Sequence, residues 1–196
     1  MTKAEKTKEH IVEKTALLFN EKGFAGTSFN DIMQATGLSK GCIYGHFTNK
    51  DDIALEVFDY NIQRLSNYLD VKTNESQHSI ERLLAYPKVI RNFLTIPIWE
   101  GGCPILNTST EADDTHPKLK EKASLALSSW QDKIASQITR GIERKEIKTD
   151  TDAKEIAIVI IYMIESAVMQ TKVSGKTTEL NIAMNFLEKL IQNIQL

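Results

Sequence analysis

The segment TSFNDIMQATGLSKGCIYGHFTNK, residues 27 to 50, places residue types able to touch a polyanion at short helical spacing. It reads as two short helices joined by a three- to four-residue turn containing Gly37, the pattern of a helix-turn-helix. Ala35 and Gly37 are small enough to let the helices cross closely, Ile32 and Leu38 fill their junction, and Ile43 holds the second helix against the first. Lys40, Gly41, Tyr44 and His46 are left on the outer side, able to approach phosphates or base edges. Two short capped helices also occur in many all-α proteins, so spacing alone does not decide for DNA. No Arg, Gln or Asn faces outward from the second helix, so the usual bidentate readers of guanine and adenine are missing and the DNA sequence read is not deducible.

Other reactive residue types are scattered. Cys103 follows Gly101-Gly102 and precedes Pro104, at an expected helix amino terminus where the dipole favours a thiolate. It is either an unreactive small residue in a turn, a pocket-lining residue, or a thiol open to oxidants and electrophiles. Cys42 lies 61 positions away on the second helix of the pair, so neither a disulfide framework nor a zinc site is expected. A di-iron carboxylate enzyme needs two Glu-x-x-His pairs and two further acids, and only Asp113-x-x-His116 is present. The four histidines, at 10, 46, 78 and 116, form no triad, and no Gly-rich phosphate loop is found. No catalytic residue, metal or cofactor is therefore expected. A helical-bundle enzyme and a protein-binding helical module stay open as alternatives to a DNA-binding regulator.

The elements that would carry these residues are helical throughout, because apolar residues recur at three- and four-residue steps and no strand-length alternation occurs. A first helix is predicted from about Lys3 to Lys22, stopped by Gly23. Ser28 with Asp31 resembles a capping box for the second, with Phe29, Ile32 and Met33 inward, and Ser39 caps a third that runs to about Phe47. Asn49 opens a fourth, and a fifth carries Pro87, which kinks or splits it. A Gly- and Pro-rich stretch holds one short helix starting near Pro104. Long helices follow from Lys118 to about Lys145, across Ile156 to Ile164, and to the carboxyl end through Leu180, Met184 and Leu187.

The chain has 196 residues with a formal net charge of −2. Residues 1 to 50 carry seven lysines against five acids, a balance of +2, and the remaining 146 residues carry −4. A small part that tolerates polyanions joined to a larger part that repels them fits a nucleic-acid module on a second domain. The longest apolar run, Ala157 to Ile164, ends at Glu165, short of the roughly 20 residues that cross a bilayer. No membrane partner and a reducing, cytoplasmic setting are expected.

The pattern T-S-x-x-x-I…G-L-S-K-G-x-I-Y-x-H-F-x-x-K, preceded by Gly23-Phe24, resembles the signature of the tetracycline-repressor (TetR) family over about the first 60 residues. The resemblance implies an all-α fold with a three-helix DNA-binding domain at 1–48 and a larger effector-binding and dimerisation domain at 49–196. Carried over by position, it puts Ser28 with Thr27 near a phosphate, Ser39, Lys40 and Gly41 first into the groove, Tyr44 and His46 on backbone or bases, and Lys50 on another phosphate. Family members often carry an aromatic residue or His where Gly45 stands here. It also implies a homodimer on a roughly palindromic double-stranded operator, held through the last two helices. A small-molecule effector, or modification of Cys103, would release it. Phe93, Trp99, Cys103, Asn107, Trp130, Tyr162 and Met163 are the candidate pocket residues. Some relatives carry a similar Gly-Cys-Pro…Asn…Glu segment, here ending in Asn107 and Glu111.

Overall fold

A computed structural model describes residues 2–196. Among them the chain forms nine α-helices and no strand. The helices are α1 (Lys3–Gly26), α2 (Phe29–Thr36), α3 (Lys40–Tyr44), α4 (Lys50–Thr73), α5 (Ser79–Ile90), α6 (Pro104–Ala112), α7 (Pro117–Glu143), α8 (Ala153–Ser174) and α9 (Thr178–Asn193). Two short 3-10 turns, Phe93–Thr95 and Pro97–Trp99, lie between α5 and α6.

Local chemistry sets the boundaries. Gly23 stands at φ 72° and ψ 178°, a conformation essentially restricted to glycine, and turns the chain out of α1 three residues before its nominal end. Ser28 and Asp31 close a reciprocal capping box on α2, and Gly37 in the left-handed region ends it. The Ser39 hydroxyl accepts the Cys42 amide to start α3, and Asn49 accepts the Asp52 amide to start α4. α3 is one turn shorter than the expected run to Phe47. Pro87 sits inside α5 without ending it, and Pro104 takes the first position of α6, where its missing N–H has no cost.

The helices pack as two compact units, 1–65 with 100–124 and 66–99 with 125–196. Ile53, Ala54, Val57 and Phe58 of α4 are buried in the first unit, and α6 is hydrogen-bonded to α1 within it. Unit one closes its core on Ile11, Ala16, Ile32, Ile43 and Phe47. Unit two closes on Leu83, Ile90, Ile134, Ile164, Met184 and Leu187. Within it the Glu146 carboxylate accepts the Ser79 amide at 2.7 Å, which satisfies the start of α5.

α8 revises one sequence expectation. Its uninterrupted apolar run is short, but the whole 22-residue helix is long and apolar enough, by length and composition, to cross a bilayer. The physical reason is that both of its sides are apolar. Ala157, Ile160, Ile161, Ile164 and Val168 are buried, while Tyr162, Met169 and Val173 are exposed. Ile182 and Phe186 of α9 are exposed as well, and α8 and α9 pack on each other.

Candidate nucleic-acid interface

The helix pair α2–α3 is built on a small set of buried contacts. Ile32 of α2 and Ile43 of α3 are both fully buried, and the two helices pack on each other. The Thr36 hydroxyl donates to the Ile32 carbonyl and accepts the Leu38 amide, which fixes the turn between them. The Nε2–H of His10 donates to the Thr36 carbonyl at 3.0 Å and ties the turn to α1. With these positions spent inside, α3 presents Lys40, Gly41 and Tyr44 to solvent.

Gly41 is informative because the protein itself gives no reason for it. Its backbone is helical, and a Cβ there would meet no protein atom within 4 Å. A helix-interior glycine costs about 1 kcal/mol relative to alanine, with no packing return at this position. Free space outside the first turn of α3 is what the close approach of a duplex backbone requires.

Tyr44 is 45% exposed and stacks on Phe29, with ring centroids 4.9 Å apart and planes 20° from parallel. The Lys40 ammonium lies 5.6 Å from the Phe29 centroid and 5.7 Å from that of Tyr44. Phe29, expected to face inward, is only half-buried.

At the start of α2, the amide and hydroxyl of Ser28 both donate to Asp31 Oδ2, at 2.8 and 2.7 Å. Lys22 Nζ donates to Asp31 Oδ1 at 2.7 Å. The Lys22 ammonium, then the Ser28 donors, hold the Asp31 carboxyl well below the usual carboxylate range. Lys22 is thus a cation beside the Ser28 cap that sequence reasoning missed.

Two positions of the expected set also make contacts inside the protein. Thr27 is fully buried and its hydroxyl donates to the Gly23 carbonyl at 2.6 Å, so its side chain closes a turn and is no part of the exposed face. Lys50 Nζ donates to the carbonyls of Phe24 and Thr27, at 2.7 and 3.0 Å, and lies 4.2 Å from the Phe24 ring centroid. Its ammonium fixes the connection between α1 and α2 at the head of α4. His46 lines an open groove of about 250 Å³ beside Lys8, Thr48, Asp52 and Glu56.

Comparison with known proteins decides the assignment. Residues 11–57 match the family "Bacterial regulatory proteins, tetR family", and residues 79–187 match "Tetracyclin repressor-like, C-terminal domain". The crystal structure of a TetR-family transcriptional regulator from Cytophaga hutchinsonii superposes with a TM-score of 0.96 at 38% identity, covering 100% of this chain and 98% of the other. One from Chloroflexus aurantiacus gives 0.93 at 38% identity with the same coverage. The HTH-type transcriptional repressor DhaR of a Mycobacterium species is 27% identical, over 85% of this chain and 82% of its own length. The chain belongs to the TetR family. It is a TetR-family DNA-binding transcriptional regulator, and α2–α3 is the helix-turn-helix of its matched amino-terminal region.

The second TetR match covers α6, and there the Gly-Cys-Pro…Asn…Glu segment proves to be a bracket on α1. The Asn20 side-chain amide donates to the carbonyls of Glu100 and Gly102, at 2.9 and 3.0 Å. Asn107 donates to the Gly101 carbonyl at 2.9 Å, to the Asn20 carbonyl at 3.0 Å and to Asn20 Oδ1 at 3.1 Å. One turn on, Glu111 accepts the amides of Phe24 and Ala25, at 2.7 and 2.8 Å. A Cβ on Gly23 would stand 2.4 Å from Glu111 Oε2. Beside the bracket, Asn107, Glu111, Phe19 and Phe58 line a cavity of about 30 Å³, room for a water molecule or two.

The remaining pocket candidates in this TetR chain lie in both units. Cys103 is fully buried at the N-cap of α6 in unit one. Phe93 and Trp99 are buried in unit two, edge-to-face with centroids 6.3 Å apart. Trp130 is buried in the same unit, with its indole beside the Tyr86 hydroxyl. Met163 is half-buried, whereas Tyr162 is 62% exposed on the outer side of α8 and does not line the interior.

Proposed function

We propose that this regulator is a repressor that holds a roughly palindromic operator as a homodimer and is released by a small-molecule effector, in the cytoplasm. The observation that carries the reading is the bracket on α1. Trp99 is buried in the effector-side unit, and the next three residues offer their carbonyls to Asn20 and Asn107. A ligand that rearranges residues 93–99 therefore pulls on backbone tied directly to the end of α1. Glu111 then holds the chain on the far side of Gly23, just ahead of the α2 cap. Effector binding shifts the operator-bound population by the difference in its affinity for the two arrangements of this connection.

Release by a ligand is favoured over release by thiol chemistry because Cys103 is fully buried. The homodimer reading rests on Tyr162, Met169, Val173, Ile182 and Phe186, an exposed apolar face on α8 and α9 that a second copy would cover. The repressor reading is supported by the names of two relatives, the repressor DhaR and the Escherichia coli repressor ComR.

Footprinting on the chain's own upstream region, with and without an effector library, tests the proposal. Protection of two half-sites about one helical turn or a multiple apart, lost on adding one library member, is expected. Binding that no library member weakens, or that tightens with effector and raises transcription, would overturn the repressor-release reading.

A further inference from the structure

We infer that Phe29 is a positioning residue for DNA recognition, acting through Tyr44 and Lys40. The core does not need an aromatic ring at the first position of α2, because Ile32 is the fully buried apolar residue of that helix and Phe29 is left half-buried. Its ring is spent on Tyr44, stacked at 4.9 Å, and on the Lys40 ammonium, nearly equidistant from both centroids at 5.6 and 5.7 Å. These separations lie within the ranges of aromatic stacking and cation–π attraction. Lys40 and Tyr44 are four residues apart and share one side of α3. The one lysine and one tyrosine exposed on that helix are therefore both held by a ring from the preceding helix.

Two consequences follow for binding. A phenol and an ammonium ordered before the duplex arrives lose little rotamer freedom on contact, so the stack raises affinity without touching DNA. Stacking also covers one face of Tyr44, which leaves its edge and hydroxyl for phosphate, sugar or a thymine methyl and disfavours a base stacked between the rings.

The inference rests on α3 meeting DNA, and a double-variant cycle separates the two. Phe29→Ala, Tyr44→Ala and the double variant would be titrated against a duplex selected by the wild-type protein from a random pool, at one salt concentration. Phe29→Ala is expected to weaken binding by about tenfold. The double variant should lose less than the product of the two single losses, because the stack with Tyr44 is already gone and only the hold on Lys40 remains to be lost. Phe29→Trp, which keeps a stacking ring, should bind within about twofold of wild type. Full affinity in Phe29→Ala, or losses that multiply in the double variant, would overturn the role of Phe29. Full affinity in Tyr44→Ala would instead remove α3 from the interface. If circular dichroism shows Phe29→Ala unfolded, the same cycle with Phe29→Leu, which keeps apolar bulk without a ring, decides between the same outcomes.

Discussion

Glu111 and Gly23 are fitted to each other: the carboxylate that accepts the Phe24 and Ala25 amides occupies the space where any side chain on residue 23 would begin. Gly23→Ala therefore combines a disfavoured backbone conformation with a contact of 2.4 Å. A loss of about 2 kcal/mol or more in urea unfolding is expected. Glu111→Gln places an amide NH₂ toward one of two backbone N–H groups and should cost about 1 to 2 kcal/mol. A Glu111→Gln variant with an unchanged unfolding midpoint would show that the carboxylate does not bear on the fold.

Asn107→Ala tests the relay without disturbing that turn. It frees the Gly101 and Asn20 acceptors on either side of the bracket. Operator affinity without effector should fall by several-fold, and the further weakening caused by effector should shrink, because the two ends no longer move together. Identical ratios of affinity with and without effector in wild type and variant would exclude this route.

Gly41→Ala separates stability from recognition. The added methyl meets no protein atom, so the variant should be more stable by about 0.5 to 1 kcal/mol through helix propensity. On the proposal that the duplex backbone passes through this space, its affinity for the operator should nonetheless fall. Equal or better DNA binding would mean that the space is not used.

The Lys22–Asp31–Ser28 cluster gives a pH dependence of known sign. The folded Asp31 carboxyl titrates below its unfolded value of about 3.9. Its contribution to stability is therefore complete above the ordinary carboxylate range and is lost as pH falls through the depressed folded value. Following the Asp31 side-chain carbon by NMR during acid titration should show it ionised below pH about 3.9, and Lys22→Ala should move its midpoint upward. A midpoint that Lys22→Ala leaves in place would assign the depression to Ser28 alone.

The apolar face of α8 and α9 predicts the assembly state. Phe186→Glu puts a charge in the middle of that face, on a residue 63% exposed in the single chain. Sedimentation velocity should show the wild type as a dimer and Phe186→Glu as a monomer with an unchanged circular dichroism spectrum. A wild-type monomer at micromolar concentration would leave the face without its second copy.

What was legible in the sequence was local. Ser28 with Asp31, Gly37, Ser39, Asn49 and Pro104 each act on backbone within a few residues, so type and spacing announce them. Roles set by distant partners were not legible. Asn107 meets Asn20 across 87 positions, and Glu111 meets Phe24 across the same separation, so the bracket this segment forms on α1 is not readable from local spacing. Lys50 reads as a phosphate ligand by family position, and only folding brings the carbonyls of Phe24 and Thr27 beneath its ammonium. Phe29 was misplaced for a related reason: a helical pattern marks it as apolar but cannot say that a ring from the next helix, not the core, covers it.

Asn20, Gly23, Asn107 and Glu111 also constrain how this protein can diverge. Each satisfies or makes room for another, so replacing one alone strands a donor, an acceptor or a clash. The four are best inherited as a set: lineages that lose the glycine have reason to discard the acid as well, and drift at these sites should come in joint steps.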